Sequence, residues 1–234
     1  AHMAFLGNPG TGKTEVANLL ARILVEKNLL SVGKVIQVPA VSLVSVPPVI
    51  PSLFENARGS IIFIDEAYTL LSSPTAISSM VESMDRYKNE VVVIMAGYSE
   101  EMNELFHSNP GLMSRIRSQI DFPDYSDDEL VQIFELMCLQ REYQYDSEML
   151  KLVKQFISIQ DKDRYFGNAR FVRNLVEEMM LNEGARTVRL CDSEGEDVIS
   201  DESLKFFTKE DFEEACISIQ QEVKRNKKLT LGFK

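Results

Sequence analysis

A chain of 234 residues, 44% of them hydrophobic, can bury one good core or a larger core with a small helical one, and the second is expected. A formal net charge of -11 and an isoelectric point near 4.8 exclude a general basic surface of the kind that grips nucleic acid or an anionic membrane; an acidic surface also simply keeps a protein soluble. No run of about 18 apolar residues occurs, which excludes a spanning helix, and nothing resembles a charged-then-apolar signal sequence.

In chain order, Ala1-His2-Met3 has the form of a cloning scar, and the first strand is predicted over Met3 to Leu6, or from Ala4 if the scar reading holds. Val35 to Val38, Ile61 to Ile64 and Val91 to Ala96 are the next short apolar runs, read as strands of a parallel sheet covered on both faces. Between them Val16, Leu19, Leu20, Ile23 and Leu24 follow helical spacing, as do Ile77, Met80, Val81 and Met84 after Pro74. The fold class is therefore α/β, a parallel sheet sandwiched by helices. From Ser126 the strand signal fades. Ser126 and Glu129 form a capping-box signature before Leu130, Ile133, Phe134, Met137 and Cys138. Further helical stripes follow at Met149, Leu152, Val153, Phe156 and Ile157, and at Val172, Leu175, Val176, Met179 and Met180. A last one, capped by Thr208, runs through Phe212, Ala215, Cys216, Ile219 and Val223. Cys191 to Glu202 is acidic and contains Gly195, so it reads as a solvated loop or hairpin. Two domains result, an α/β domain over 1–125 and a helical one over 126–234. Cys138, Cys191 and Cys216 are far apart, and two of them fall on apolar stripes, so buried thiols are expected rather than a disulfide framework. That suits a reducing compartment, the cytoplasm or a plastid stroma.

Gly7-Asn8-Pro9-Gly10-Thr11-Gly12-Lys13-Thr14 lies between the first strand and the first helical stripe, the context that marks a P-loop. Its glycines let the backbone N–H groups of Asn8, Gly10, Thr11 and Gly12 turn inward around phosphate oxygens, with Pro9 in the same binding turn, at a helix N-terminus that adds its positive dipole. Lys13 is expected to reach the β and γ phosphates of ATP, and the Thr14 hydroxyl to ligate Mg²⁺. Ile61 to Glu66 is the complementary half, a buried strand ending in two carboxylates. Asp65 can hold the magnesium and Glu66 can polarise the attacking water. With two histidines in the chain, His2 and His107, a histidine-based metal centre is not expected.

Taken together, Gly7 to Thr14, Phe63 to Tyr68, Ala96-Gly97-Tyr98, Asn109 to Arg115, Phe122-Pro123-Asp124-Tyr125 and Gly167-Asn168-Ala169-Arg170 resemble the AAA+ ATPases, in the group of the CbbX-type rubisco activases and stage V sporulation protein K. The resemblance runs from about Met3 to about Asn182, with a weaker echo at Thr208 to Ala215. It implies a P-loop domain followed by a helical lid, and an Mg-ATP hydrolase that works as a chaperone-like ring, a hexamer or a mixed ring, on a protein client. It also implies that Arg115 is an arginine finger reaching a neighbour's nucleotide and that Arg170 is a sensor-2 arginine touching the γ-phosphate. Arg117 and Arg173 are the weaker candidates for these roles, and a local salt bridge is the plain alternative for each arginine. The group shares the Ala-Gly-Tyr where many relatives place a sensor asparagine, so Tyr98 reads as packing.

Two features depart from the group. Ser45 to Ser52 carries neither an aromatic residue nor a glycine where relatives have an aromatic-aliphatic-glycine pore loop, and a second shortening follows Leu70 to Ser73. Either the protein lacks pore loops and is a non-threading, nucleotide-dependent interaction or regulatory module, or flexible segments of a longer parent are missing. Both shortenings and the abrupt start fall where flexible segments concentrate, which favours the second reading. An intact mass of 26.6 kDa would refute it.

Overall fold

The computed structural model describes residues 2–163, 166–194 and 204–231. It divides into two compact units, Ala1–Asp124 and Tyr125–Lys234.

In the first unit, five strands form one parallel sheet: β1 (His2–Gly7), β2 (Val35–Pro39), β3 (Ser60–Asp65), β4 (Val91–Gly97) and β5 (Ile116–Phe122), ordered β2-β3-β4-β1-β5. Successive side chains of a strand alternate between faces, and here both faces are covered. Phe5, Ile61, Phe63, Ile94 and Ala96 pack with Ala17 and Ala21 of α1 (Lys13–Glu26). Ala4, Leu6, Ile62, Ile64, Val93 and Met95 pack on the other face. Helices α2 (Ala40–Ser45), α3 (Val49–Asn56), α4 (Pro74–Arg86) and α5 (Ser99–Ser108) contribute Leu43, Phe54, Met80 and Leu105 to that second cluster. Ser73 caps α4, accepting the Ala76 N–H at 3.2 Å, and Pro74 at the first helical position lacks the N–H that would go unpaired there.

Two expectations are corrected in this unit. The strand β5 carries no apolar run: Arg117, Ser118, Gln119, Ile120 and Asp121 are exposed, because an edge strand pairs with β1 on one side only. The helix α1 forms where its spacing predicts, and Leu20 and Leu24 pack against the core beside Ala17 and Ala21, yet Val16, Leu19 and Ile23 of the predicted stripe stay exposed. The fully buried positions are the small ones, and the larger residues mark the buried side only in part. The first strand forms over the predicted Met3 to Leu6, with His2 and Gly7 added at its ends.

The His2 ring is buried; its Nδ1 accepts the Val93 N–H at 3.0 Å, and the Met84 backbone accepts from the ring's other side. Burial, which strips water from the charged form, is the main reason its pKa falls from 6.5 to about 4. A pKa lower in the folded than in the unfolded state gives stability that is complete above the unfolded value and is lost as pH falls toward about 4. Over that interval the loss amounts to about 3 kcal/mol. Urea midpoints of the wild type are therefore expected to drop between pH 6.5 and 4 more steeply than those of His2→Gln. Equal slopes would remove His2 from the acid response.

The second unit is helical: α7 (Asp127–Gln140), α8 (Met149–Ser158), α9 (Ala169–Glu194) and α10 (Lys209–Leu231), with a short α6 (Pro110–Met113) belonging to the first unit. Ser126 and Glu129 form the reciprocal capping box. Leu130, Phe134, Cys138, Val153, Phe156, Val172, Val176, Met179, Phe212 and Ala215 share one core. Burial pushes the Cys138 and Cys216 thiols up to about 12, so neither is a reactive thiolate. The Cys191 and Val223 side chains lie outside the described residues. Two dipeptide strands unannounced by the sequence, β6 (Gln144–Tyr145) and β7 (Phe206–Phe207), pair in parallel, and the Tyr143 and Phe207 rings stack at 4.3 Å. A two-residue strand has too little length for any period to register. The predicted loop over Cys191 to Glu202 is corrected in part: α9 continues to Glu194, and 195–202 lie outside the described residues.

Asp211, nearly fully buried, explains the Thr208 motif. One of its oxygens accepts the Thr208 N–H and hydroxyl at 2.8 Å each, and Arg186 donates to the carboxylate at 3.1 and 3.2 Å. A buried carboxylate is tolerable when a cation and hydrogen bonds engage both its oxygens in this way, and the network ties α9 to the start of α10.

Candidate functional site

The P-loop leaves β1 at Gly7. A Cβ there would meet the Phe122 carbonyl oxygen at 2.2 Å, so the close pairing of β1 with β5 demands glycine. Gly10 and Gly12 have φ of 72° and 88°, left-handed values that a side chain would oppose, and Gly12 caps α1. The Lys13 Nζ folds back over the loop and donates to the Gly7 and Asn8 carbonyls at 2.9 and 2.6 Å and to Thr11 Oγ1 at 3.3 Å. Thr11, almost fully buried, donates its hydroxyl to the Asn8 carbonyl at 2.8 Å. The Asn8 side-chain amide donates to both Asp124 oxygens at 3.1 and 2.9 Å. The loop thus surrounds an ammonium at the head of a helix whose first amides have no intrahelical acceptors, a donor set that fits a polyphosphate. Thr14 follows Lys13 in the first turn of α1 and is half-buried. Pro9 lies in the same turn of chain.

At the same end of the sheet β3 finishes in Asp65. The strands β1 and β3 are separated by β4 alone; Phe5 pairs with Ala96 and Ile64 with Met95, so Asp65 lies level with Phe5, about 10 Å across the sheet, and β1 runs two residues further before the loop turns. Asp65 and Glu66 are both exposed at this edge, where open α/β sheets hold their ligands. Glu66 has φ 51°, a left-handed value uncommon outside glycine, and begins the 3₁₀ turn Ala67–Ser72. That kink breaks the strand's alternation directly after Asp65; an oxygen of Asp65 accepts the Glu66 N–H at 3.1 Å. Strain of this kind clusters at functional sites. The Tyr68 ring lies 5.9 Å from that of Tyr98, and a Cβ on Gly97 would meet Tyr68 and Met102 at 2.9 Å, which accounts for the glycine in Ala96-Gly97-Tyr98. Burial first, and then the Glu66 charge, push the Tyr68 phenol up to about 12. Tyr68 thus stays a neutral donor beside Glu66, a neighbour that sequence reasoning missed although it closes the Phe63 to Tyr68 motif.

Arg115 follows the one-turn α6. Asn109 Oδ1 accepts the Leu112 N–H at 2.8 Å and Pro110 occupies the first helical position, so the Asn-Pro-Gly run is a helix start that sets where Arg115 emerges. The Arg115 Nε donates to Asp85 Oδ1 at 2.9 Å, its Nη2 to Asp85 Oδ2, and its Nη1 to the Gly111 carbonyl at 2.5 Å. The bond to Asp85 holds the guanidinium above its usual pKa and the carboxylate below its own. Asp85 lies 30 residues away on α4, and no local signal announces it. Arg117, on β5, is exposed.

In the second unit Arg170 is exposed in the first turn of α9, with its N–H on the Gly167 carbonyl at 2.8 Å; Arg173 is exposed one turn on. Between Gly167 and Arg170 sits Asn168, fully buried at φ 48°. Its Oδ1 accepts the Tyr125 N–H at 3.0 Å and its Nδ2 donates to the Phe166 carbonyl at 3.2 Å. His107 Nδ1 meets only the Asn103 carbonyl among the contacts described, at 2.7 Å in its own helix.

A family model described as the ATPase family associated with various cellular activities (AAA) matches residues 3–124, and one described as the AAA lid domain matches 126–223. The chain is 36% identical over 197 residues to the chloroplastic ribulose bisphosphate carboxylase/oxygenase activase of Cyanidioschyzon merolae, covering 79% of this chain and 67% of that one. It is 38% identical over 199 residues to the stage V sporulation protein K of Bacillus subtilis, covering 79% of this chain and 62% of that one. Among solved structures, the FIGL-1 AAA domain in complex with ADP matches with a TM-score of 0.62 at 19% identity, over 92% of this chain and 70% of that one, a likeness of fold.

Proposed function

Because the chain belongs to the AAA ATPase family, in the group of rubisco activase and stage V sporulation protein K, it is an ATP hydrolase, and we propose that it turns ATP over as a subunit of a ring that remodels a protein client. The ring is a homo-oligomer, hexameric in this reading, or a mixed ring. The single observation that carries the nucleotide site is the Lys13 ammonium lodged against the Gly7 and Asn8 carbonyls inside a glycine loop at the head of α1. An ammonium held by neutral carbonyls and a hydroxyl gains when anionic phosphate oxygens replace them. The fold match to a domain solved with ADP supports the same reading.

The proposed roles follow from chemistry and position. The N–H groups of Asn8, Gly10, Thr11 and Gly12 and the Lys13 ammonium bind the phosphates, and Glu66 accepts a hydrogen bond from the water that attacks the γ-phosphorus, taking its proton as the bond to the β-phosphate oxygen breaks. Mg²⁺, when bound, neutralises charge on the phosphates; Thr14 and Asp65 are the hydroxyl and carboxylate placed to hold it. Arg115 stabilises charge in a neighbour's site, and Arg170 reports the γ-phosphate to the helical unit. Lys13→Ala is expected to weaken ATP and ADP binding by about 2 to 3 kcal/mol, roughly 30- to 150-fold, in calorimetric titration. Unchanged affinity would remove the P-loop from the nucleotide site.

One observation favours a second reading. The helices α2 and α3 are joined by Val46-Pro47-Pro48, a stiff link without the aromatic residue that a pulling loop uses, which suits a nucleotide-dependent interaction module. Client-stimulated ATPase activity of an assembled ring separates the two, since the module binds nucleotide without it.

A further inference from the structure

We infer that Asp124 couples nucleotide binding at the P-loop to the start of α9, through side-chain grips on either side of the Asp124–Tyr125 peptide bond. The inference rests on the reading of Gly7 to Thr14 as the phosphate site.

Each residue of that dipeptide is held within its own unit. On the first side, both Asp124 oxygens accept from the Asn8 amide at 3.1 and 2.9 Å. Asn8 is also the residue whose main-chain carbonyl accepts from the Lys13 ammonium at 2.6 Å and from Thr11 at 2.8 Å. One P-loop residue therefore carries the lysine on its backbone and Asp124 on its side chain. On the other side, the Tyr125 N–H donates to Asn168 Oδ1 at 3.0 Å. Asn168 is fully buried, sits in the left-handed region that its short polar side chain tolerates, and is anchored by its own amide on the Phe166 carbonyl. Two residues further on is Arg170, whose N–H bonds the Gly167 carbonyl.

The two grips differ in stiffness. Asn8 to Asp124 is a solvent-facing amide–carboxylate contact; Tyr125 to Asn168 is a neutral bond to a side chain with no exposed surface. When phosphate draws the Lys13 ammonium away from the Asn8 carbonyl, the Asn8 peptide loses one of the two bonds that hold it and keeps the one from Thr11, and the softer grip changes first. Pro123 locks its own φ and keeps Phe122 extended, so the adjustment concentrates at Asp124 and Tyr125. The buried Asn168 then carries it to the turn that precedes Arg170. Asp124 is a positioning residue in this scheme. The coupling is a difference in contacts between two nucleotide states, which is what a switch requires.

The test uses the full chain, ADP as the probe, calorimetry for affinity and hydrogen exchange for the Tyr125 amide and the first turn of α9. In the wild type, ADP changes the protection of these amides. Asp124→Ala is expected to weaken ADP about fivefold and to abolish that change without altering the apo melting curve. Asn168→Ala is expected to weaken ADP similarly and to abolish the change, while melting at a lower temperature in the apo state because it strands a buried amide and sets alanine at a left-handed φ. The double variant is expected to bind ADP no more weakly than the weaker single, because both cut one connection. If either alanine variant fails to fold, Asp124→Asn, which keeps one acceptor for Asn8, and Asn168→Asp, which keeps the acceptor for Tyr125, replace them with intermediate effects expected. Persistence of the ADP-dependent protection in the Asp124 variants, or effects that multiply in the double variant, would overturn the coupling. Lys13→Ala separates this from the underlying reading: its unchanged ADP affinity would dismiss the phosphate site itself, whereas its weakened affinity with unaltered Asp124 variants dismisses the coupling alone.

Discussion

Glu66→Gln is expected to bind ATP as tightly as the wild type and to hydrolyse it at least about a hundredfold more slowly. Glutamine keeps the size and one oxygen of glutamate but cannot accept the proton of the attacking water, so ground-state binding is spared while the chemical step is not. The position argues for this separation. Glu66 stands beyond the end of β3, in a left-handed kink, exposed at the strand-end edge beside the half-buried Tyr68 phenol. It bears no structural load that glutamine would fail to carry. Steady-state turnover and nucleotide affinity of the same preparation check it. A variant with wild-type turnover would reassign the base; one that lost binding as well would make Glu66 a binding residue.

Arg115→Ala is expected to lose about a thousandfold or more in turnover, the range spanned by arginines that stabilise a transferring phosphoryl group. The decisive experiment mixes it with Glu66→Gln. Each variant alone is inactive, for opposite reasons: one has a sound water-polarising site and no finger, the other a sound finger and a dead site. In a mixed ring, a Glu66→Gln subunit lends its Arg115 to the intact site of an Arg115→Ala neighbour, and activity returns. A mixture no more active than the sum of its parts would place Arg115 outside the neighbour's site. Within its own subunit Arg115 is tied to Asp85 and the Gly111 carbonyl, and its side chain keeps about a quarter of its surface exposed, so it is ordered before any neighbour arrives. A preorganised guanidinium loses less side-chain entropy on engaging phosphate than a free one.

Much of the molecule was legible as sequence. The apolar runs over β1, β3 and β4 declare themselves because a strand covered on both faces needs no alternation. The capping box at Ser126 is equally local, since cap and partner lie three residues apart. The P-loop is readable for a similar reason: its glycines answer to backbone angles of their own residues, and Lys13 bonds carbonyls five and six positions back.

What stayed hidden depends on distant chain. The strand β5 is polar because only β1 pairs with it, and a pattern rule tuned to buried strands passes over it. The helix α1 turns alanines inward beside Leu20 and Leu24 and leaves Val16, Leu19 and Ile23 outside, so hydrophobicity alone does not choose the face. The partners Asp124 for Asn8, Asp85 for Arg115 and Asn168 for Tyr125 stand 116, 30 and 43 residues away. The sequence by itself determined the phosphate-binding chemistry and the α/β class, because both are written in the dihedral preferences and burial of neighbouring residues. Tertiary structure alone decided what holds the P-loop and Arg115 in place, because a hydrogen bond across such separations exists only once the chain has closed those loops and its burial has repaid their entropy.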